Sequence, residues 1–190
     1  MSETIVTRGH YVLLSIASVM TYLLIVMGGV VCVTGSGLGC PDWPMCYGRI
    51  IPPVNMGAIV ETTHRFLAAL TSPLIVAAAV MGWRKHRWIR WLSRPPAIAV
   101  ALVLAVVVFG AFAVLTGLPP IIAAIDVGSA LMVLALVLTT WVVARARRDN
   151  PALPDRLMFR TPFARLTLSA LTAVFLVLVS GPLVADVGSI

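Results

Sequence analysis

The chain has 190 residues, 60% of them hydrophobic and only 11% charged, with a mean hydropathy of +1.02. A soluble domain carries about 25% charged residues, so a water-soluble globular protein is excluded and an all-α integral membrane protein is expected. The formal net charge of +7 does not signal a nucleic-acid partner, because the basic residues lie in short segments between apolar runs, a pattern of membrane topology.

Residues 1–10 are short and polar and carry Arg8 and His10. A first apolar run covers residues 11–33, with Cys32 expected as a packing residue inside it. About 20 residues rising 1.5 Å each cross a hydrocarbon core of roughly 30 Å, so this run can span. It is too long for a cleavable leader and has no small-residue cleavage site. A Gly-rich loop, residues 34–58, holds Cys40 and Cys46 around Pro41-Asp42-Trp43-Pro44. A second run, residues 59–83, opens with Glu61, His64 and Arg65 and contains Pro73, where a kink is expected because proline removes one backbone hydrogen bond. Residues 84–94 form a basic loop with Trp88 and Trp91. A third run, residues 96–116, leads through Gly117-Leu118-Pro119-Pro120 into a fourth, residues 121–144, with Asp126 near its start. After a polar, basic segment, residues 145–165, a fifth run covers residues 166–185.

Only helices or closed barrels span a bilayer, and strict alternation is absent. The expected architecture is therefore a four-helix transmembrane bundle plus a fifth transmembrane helix. Arg8 and the two basic segments alternate with loops holding only Arg49 and Arg65. The positive-inside rule then puts the N-terminus in the cytoplasm and the Cys40/Cys46 loop outside, in a bacterial or archaeal cell membrane. Six positions separate the two cysteines. A disulfide suits an oxidising compartment, and metal ligation by the pair is the rival reading. A faint internal repeat links residues 28–36 with residues 180–189, so the fifth run reads as the first helix of a second copy.

Glu61, His64, Arg65 and Asp126 are ionisable groups in or beside spanning runs, where such groups are costly and point to function. Glu61 and His64 lie three residues apart on one helical face. The plainer alternative is an interfacial Glu61–Arg65 pair with a structural His64. A histidine on a bundle-facing helix with apolar walls is also what a haem iron needs. His10 and His86 fall at the opposite side and are expected to be solvated.

The run Thr34-Gly35-Ser36-Gly37-Leu38-Gly39-Cys40-Pro41-Asp42-Trp43-Pro44-x-Cys46-x-Gly48, followed by Glu61-x-x-His64-Arg65, resembles the haem A synthase family (the Cox15/CtaA proteins). The resemblance covers the first four runs and the start of the fifth. It implies oxidation of the C8 methyl of haem O to a formyl group, giving haem A for terminal oxidases. It implies His64 as a ligand of the haem iron, Glu61 as the catalytic carboxylate at the substrate edge, Arg65 and Asp126 beside the cofactor, and Cys40 and Cys46 as a disulfide. The cofactor implied is haem, as haem O substrate, haem b, or both. Implied partners are the lipid bilayer and haem O synthase or oxidase assembly proteins.

Two departures qualify this. The family pattern has a histidine on the fourth helix where this chain has Asp126, and a carboxylate is a poor second axial ligand. Family members also have eight helices in two repeats. This chain offers residues 1–145 as one haem-binding repeat, residues 146–165 as a cytoplasmic linker and residues 166–190 as the start of a second. It is then either a piece of a longer protein or a compact form that pairs with a second copy or another subunit. The competing function is a non-catalytic haem-binding or structural subunit of a respiratory or photosynthetic complex.

Overall fold

The computed structural model describes residues 6–154 and 161–185. It contains five helices: α1 (Arg8–Val33), α2 (Met56–His86), α3 (Arg90–Leu115), α4 (Pro120–Asp149) and α5 (Pro162–Ala185), with a short 3-10 turn at Ser36–Leu38. All five are long and apolar enough to cross a membrane. The described residues contain one isolated bridge, Cys46 with Arg49, and no strand. The all-α, multi-pass architecture is thus as the composition predicts.

The first four helices form a square. α1 packs on α2 and α4, and α3 packs on the same two, so α2 and α4 face each other across the diagonal. α5 packs on α4, where Gly128 lets Phe175 and Val179 approach its backbone. Small residues fill the middle of the square: Ala17 and Ala99 pack with Ile75, Val133 and Val137. Buried hydroxyls bond back to carbonyls four residues earlier, as Ser18 does to Leu14, Thr21 to Ala17 and Thr140 to Leu136. In hydrocarbon every polar group needs such an internal partner. Large apolar side chains such as Val19, Leu104 and Val108 face outward, as lipid contact requires.

Three sequence expectations change. The basic loop over residues 84–94 shrinks to residues 87–89, because α2 continues to His86 and α3 already begins at Arg90. α1 likewise starts at Arg8. The added turns carry His10 and His86 into the bundle, where both are buried rather than solvated. Cys32 is exposed on α1, not packed. The last residues of the repeat's second copy, 186–189, lie outside the described residues, as does the part of the basic linker at residues 155–160. α2 runs through Pro73 without interruption.

One contact fixes the basic end of the bundle. Pro95 and Pro96 lie inside α3. Pro96 has no N–H, so the Leu92 carbonyl loses the donor a helix would give it four residues later. That carbonyl faces α2 at Gly82, so closely that a Cβ on Gly82 would collide with it. Only glycine permits the approach, and a Cα–H can then partly serve the carbonyl.

Gly82→Ala should therefore destabilise the bundle by about 1–3 kcal/mol through overpacking, read as a lower melting temperature in detergent. Gly29→Ala, whose Cβ would meet nothing within 4 Å, is the control. Its melting temperature should hold or rise, since alanine favours helix by about 0.5–1 kcal/mol over glycine.

Candidate functional site

The loop joining α1 to α2 is built from its turn residues inward. Gly35 and Gly48 take positive φ values of 62° and 67°, a region glycine enters without cost. Gly39 lies directly against the backbone of Gly57 and Ala58, where a Cβ would overlap. Asn55 caps α2, its side chain accepting a hydrogen bond from Ala58 N at 2.7 Å. These contacts fold the loop down onto the helix start.

Cys40 and Cys46 form a disulfide and are buried with Ala58. The disulfide, not metal ligation by the pair, is what the structure holds. Within the bridged segment Asp42 accepts hydrogen bonds from Tyr47 N and Gly48 N, both at 2.6 Å. The Gly48 and Tyr47 N–H groups hold the Asp42 carboxyl below the usual carboxylate range. The Trp43–Pro44 peptide in the same segment is cis.

Arg65 ties this loop to α2. Its Nε donates to Glu61 Oε1 at 2.8 Å. Its Nη1 donates to the carbonyls of Asp42 at 2.7 Å and Met45 at 2.6 Å, and Nη2 reaches the Cys40 carbonyl at 3.4 Å. One guanidinium thus holds three carbonyls of the bridged segment and one carboxylate of its own helix. Glu61 is buried at 5% exposure, so this bond satisfies a carboxylate that would otherwise be costly there.

His64 immediately precedes Arg65 on α2. Its ring packs on α1 at Gly28, where a Cβ would lie 3.3 Å from Cε1. Nδ1 is buried and has no hydrogen-bond partner among the described residues. Asp126 Oδ1 on α4 is buried and unpartnered in the same sense. His64 lies eight residues into α2 and Asp126 six into α4, depths of about 12 and 9 Å from the helix starts. Both helices start at the loop end, on opposite corners of the square, so the two groups stand at matching depth across the bundle. No hydrogen bond joins them among the described residues.

Direct contacts therefore gather Glu61, Arg65, Cys40 and Cys46, with His64 beside them and Asp126 across the bundle. Sequence reasoning missed Asp42 as the clamp of the bridged segment, and Gly28 as the seat of the His64 ring. An aspartate two residues after a cysteine in a turn, and the Gly28-Gly29 pair ending the first run, were the available signals. No group of three or more His, Cys, Asp or Glu side chains converges among the described residues, so the loop end offers no multi-ligand ion site. A haem asks less of the protein: one nitrogen donor and apolar walls. The orphaned His64 nitrogen fits that demand.

The sequence pattern of the cytochrome oxidase assembly protein family COX15-CtaA matches residues 11–59 and 54–189. The chain is similar to a protein named Heme A synthase from Bacillus licheniformis, 34% identical over 127 residues, covering 66% of this chain and 42% of that one. A protein of the same name from Bacillus pumilus is 34% identical over 132 residues, with 66% and 42% covered. Another, from Alkalihalophilus pseudofirmus, is 31% identical over 142 residues, with 73% and 48% covered. The matches thus span less than half the length of each of these relatives.

The Asp42 clamp gives a pH test. A carboxyl with a depressed folded-state pKa stabilises above its unfolded value, about 3.9, and loses that contribution as pH falls through the folded value. Amide exchange at Tyr47 and Gly48 should be several-fold slower in the wild type than in Asp42→Asn above about pH 4. The two should converge only at lower pH, as it falls through the depressed folded-state value of Asp42. Equal exchange at every pH would remove the clamp.

Proposed function

The chain belongs to the COX15-CtaA family of cytochrome oxidase assembly proteins, and from that premise we propose that its loop end is the haem-handling site of a haem A synthase-type membrane oxidoreductase. The reaction is oxidation of the C8 methyl of haem O to formyl, the product serving terminal oxidases. The observation that carries this reading is the buried, unpartnered His64 nitrogen one helical turn from the buried Glu61 carboxylate.

His64 would hold the haem iron, and Gly28 leaves room for its ring on α1. A bound haem supplies the redox chemistry of the site. Glu61 accepts protons released as the methyl is oxidised, at the substrate edge. Its bond to Arg65 engages Oε1 and fixes the carboxylate in place. Arg65 lies beside the cofactor and aligns Glu61 with the bridged loop. That loop, closed by Cys40–Cys46, covers the site and excludes water. Asp126, with a buried and unpartnered Oδ1 on α4, would offer an oxygen acceptor toward the group from the opposite corner.

The unit that does this is residues 1–145, with residues 146–165 as a linker and residues 166–190 opening a second repeat, supplied by further chain, a second copy or another subunit. Arg84, Lys85, Arg87, Arg90, Arg145, Arg147 and Arg148 crowd one end of the bundle, which supports a cytoplasmic basic end and an external cysteine loop in a bacterial cell membrane. The second reading is a non-catalytic haem-binding or structural subunit, and Asp126 in place of a nitrogen donor favours it.

A pyridine haemochrome spectrum of the purified protein, with His64→Ala beside it, tests haem binding. Haem is expected in the wild type, and its loss in the variant; equal haem in both sinks the role of His64. Glu61→Gln should keep haem while lowering haem A formed per cell by about 100-fold or more, the lower range for loss of a general base. Unchanged haem A in cells dependent on this protein would leave the non-catalytic reading.

A further inference from the structure

The basic end of the bundle carries an aromatic and cationic cluster on the seam between α1 and α4, away from the proposed haem site. Tyr11 stacks with Trp141 at 6.2 Å between ring centroids, their planes 22° apart. The Trp141 indole Nε1 donates to Ser15 Oγ at 2.8 Å, and Ser15 Oγ donates to the Tyr11 carbonyl at 2.9 Å. The Arg148 guanidinium carbon lies over the Tyr11 ring, 5.0 Å from its centroid. Arg145 Nη1 donates to the Tyr11 hydroxyl at 3.3 Å, and its Nε to Asp149 Oδ2 at 3.3 Å. The Arg145–Asp149 pair is exposed on both sides, so it holds Arg145 only weakly. These bonds engage two of the five donors a guanidinium carries, and both arginines are exposed. One tyrosine thus orients two cations at the surface.

Along the seam, toward the middle of the bundle, the surface turns apolar. Val19 and Tyr22 continue the Ser15 stripe of α1 at helical spacing, and Leu138 continues the Trp141 stripe of α4. They are 58%, 58% and 40% exposed. Arg145 and Leu138 stand about 10 Å apart along the helix axis. α5 meets α4 on its other flank, where Leu102 of α3, Gly128 and Phe175 line one cavity. The order along the seam is therefore cations, then Tyr11 and Trp141, then apolar surface. A phospholipid has the matching order of charged headgroup, ester region and acyl chain. Tyrosine and tryptophan favour headgroup depth, and a basic pocket between spanning helices suits an anionic headgroup. The charge around the seam selects further. Asp149 is the one acidic side chain at this end among the described residues, against Arg8, Arg84, Lys85, Arg87 and Arg94 besides the two on the seam. A zwitterionic headgroup would bring its own cation into that field.

We infer that the α1–α4 seam at the basic end binds one anionic phospholipid, with Arg145 and Arg148 on its phosphodiester and an acyl chain along Val19 and Leu138. The site is independent of the haem reading and of which side of the membrane the basic end occupies.

The test uses the purified, delipidated full chain in detergent, titrated with phosphatidylglycerol or phosphatidylcholine of identical acyl chains, with bound lipid counted by native mass spectrometry. Phosphatidylglycerol should bind at one per chain, about 10-fold or more tighter than phosphatidylcholine. Arg145→Gln/Arg148→Gln should remove about 10-fold of that affinity. Arg84→Gln/Lys85→Gln makes an equal change of charge at exposed positions of α2 at the same end and should keep the preference. Equal affinity of the wild type for the two lipids overturns the site. So does an equal loss in the two double variants, which would reveal a diffuse surface field. Complete displacement of phosphatidylglycerol by millimolar inorganic phosphate would also overturn it, since the anion alone would then suffice. Should a variant not fold, the wild type's discrimination between the two lipids and phosphate decides.

Discussion

The loop end of this protein depends on one guanidinium. Arg65 leaves α2 and distributes its donors over Asp42, Met45 and Cys40 carbonyls and the Glu61 carboxylate. Charge-assisted bonds are the stronger kind, and only a planar fork can serve four acceptors spread over a helix and a loop at once. The disulfide shortens the bridged segment, Asp42 closes it from within, and Arg65 fastens it to the helix that carries His64. Any chemistry at Glu61 is thereby coupled to the shape of the loop above it.

The two ends of the bundle solve the same problem differently. At the loop end, polar backbone is satisfied by side chains reaching out of α2. At the basic end, α3 enters with two prolines, and the carbonyl freed by Pro96 is pressed against Gly82. That close approach draws α2 and α3 together beside the His10 ring, next to the apolar cluster of Leu14, Ala78 and Leu92. Glycine and proline, poor helix residues by propensity, are what let these helices meet.

The square arrangement explains why the candidate site residues gather at the loop end and inside the bundle. Helices joined by short turns alternate in direction, so α2 and α4 both begin at the loop end and face each other on the diagonal. Residues one and a half to two turns into each helix then share a depth. His64 and Asp126 meet that condition, and a buried ring nitrogen and a buried carboxylate oxygen, each unpartnered among the described residues, stand on opposite walls.

The sequence by itself determined the fold class, the spanning helices and the loop that marks the candidate site. Hydrophobic runs of spanning length admit few structures in a bilayer, and the Cys40–Cys46 and Glu61-x-x-His64-Arg65 motifs are local enough to read directly. Tertiary structure decided what touches what. That Arg65 serves loop carbonyls 20 to 25 residues away, that Gly28 seats His64, and that Cys32 faces outward are consequences of helix rotation, which an almost uniformly apolar helix does not encode. The burial of His10 and His86 was equally hidden. They stand 76 positions apart in polar surroundings, and only the extension of α1 and α2 past their apolar runs brings them together.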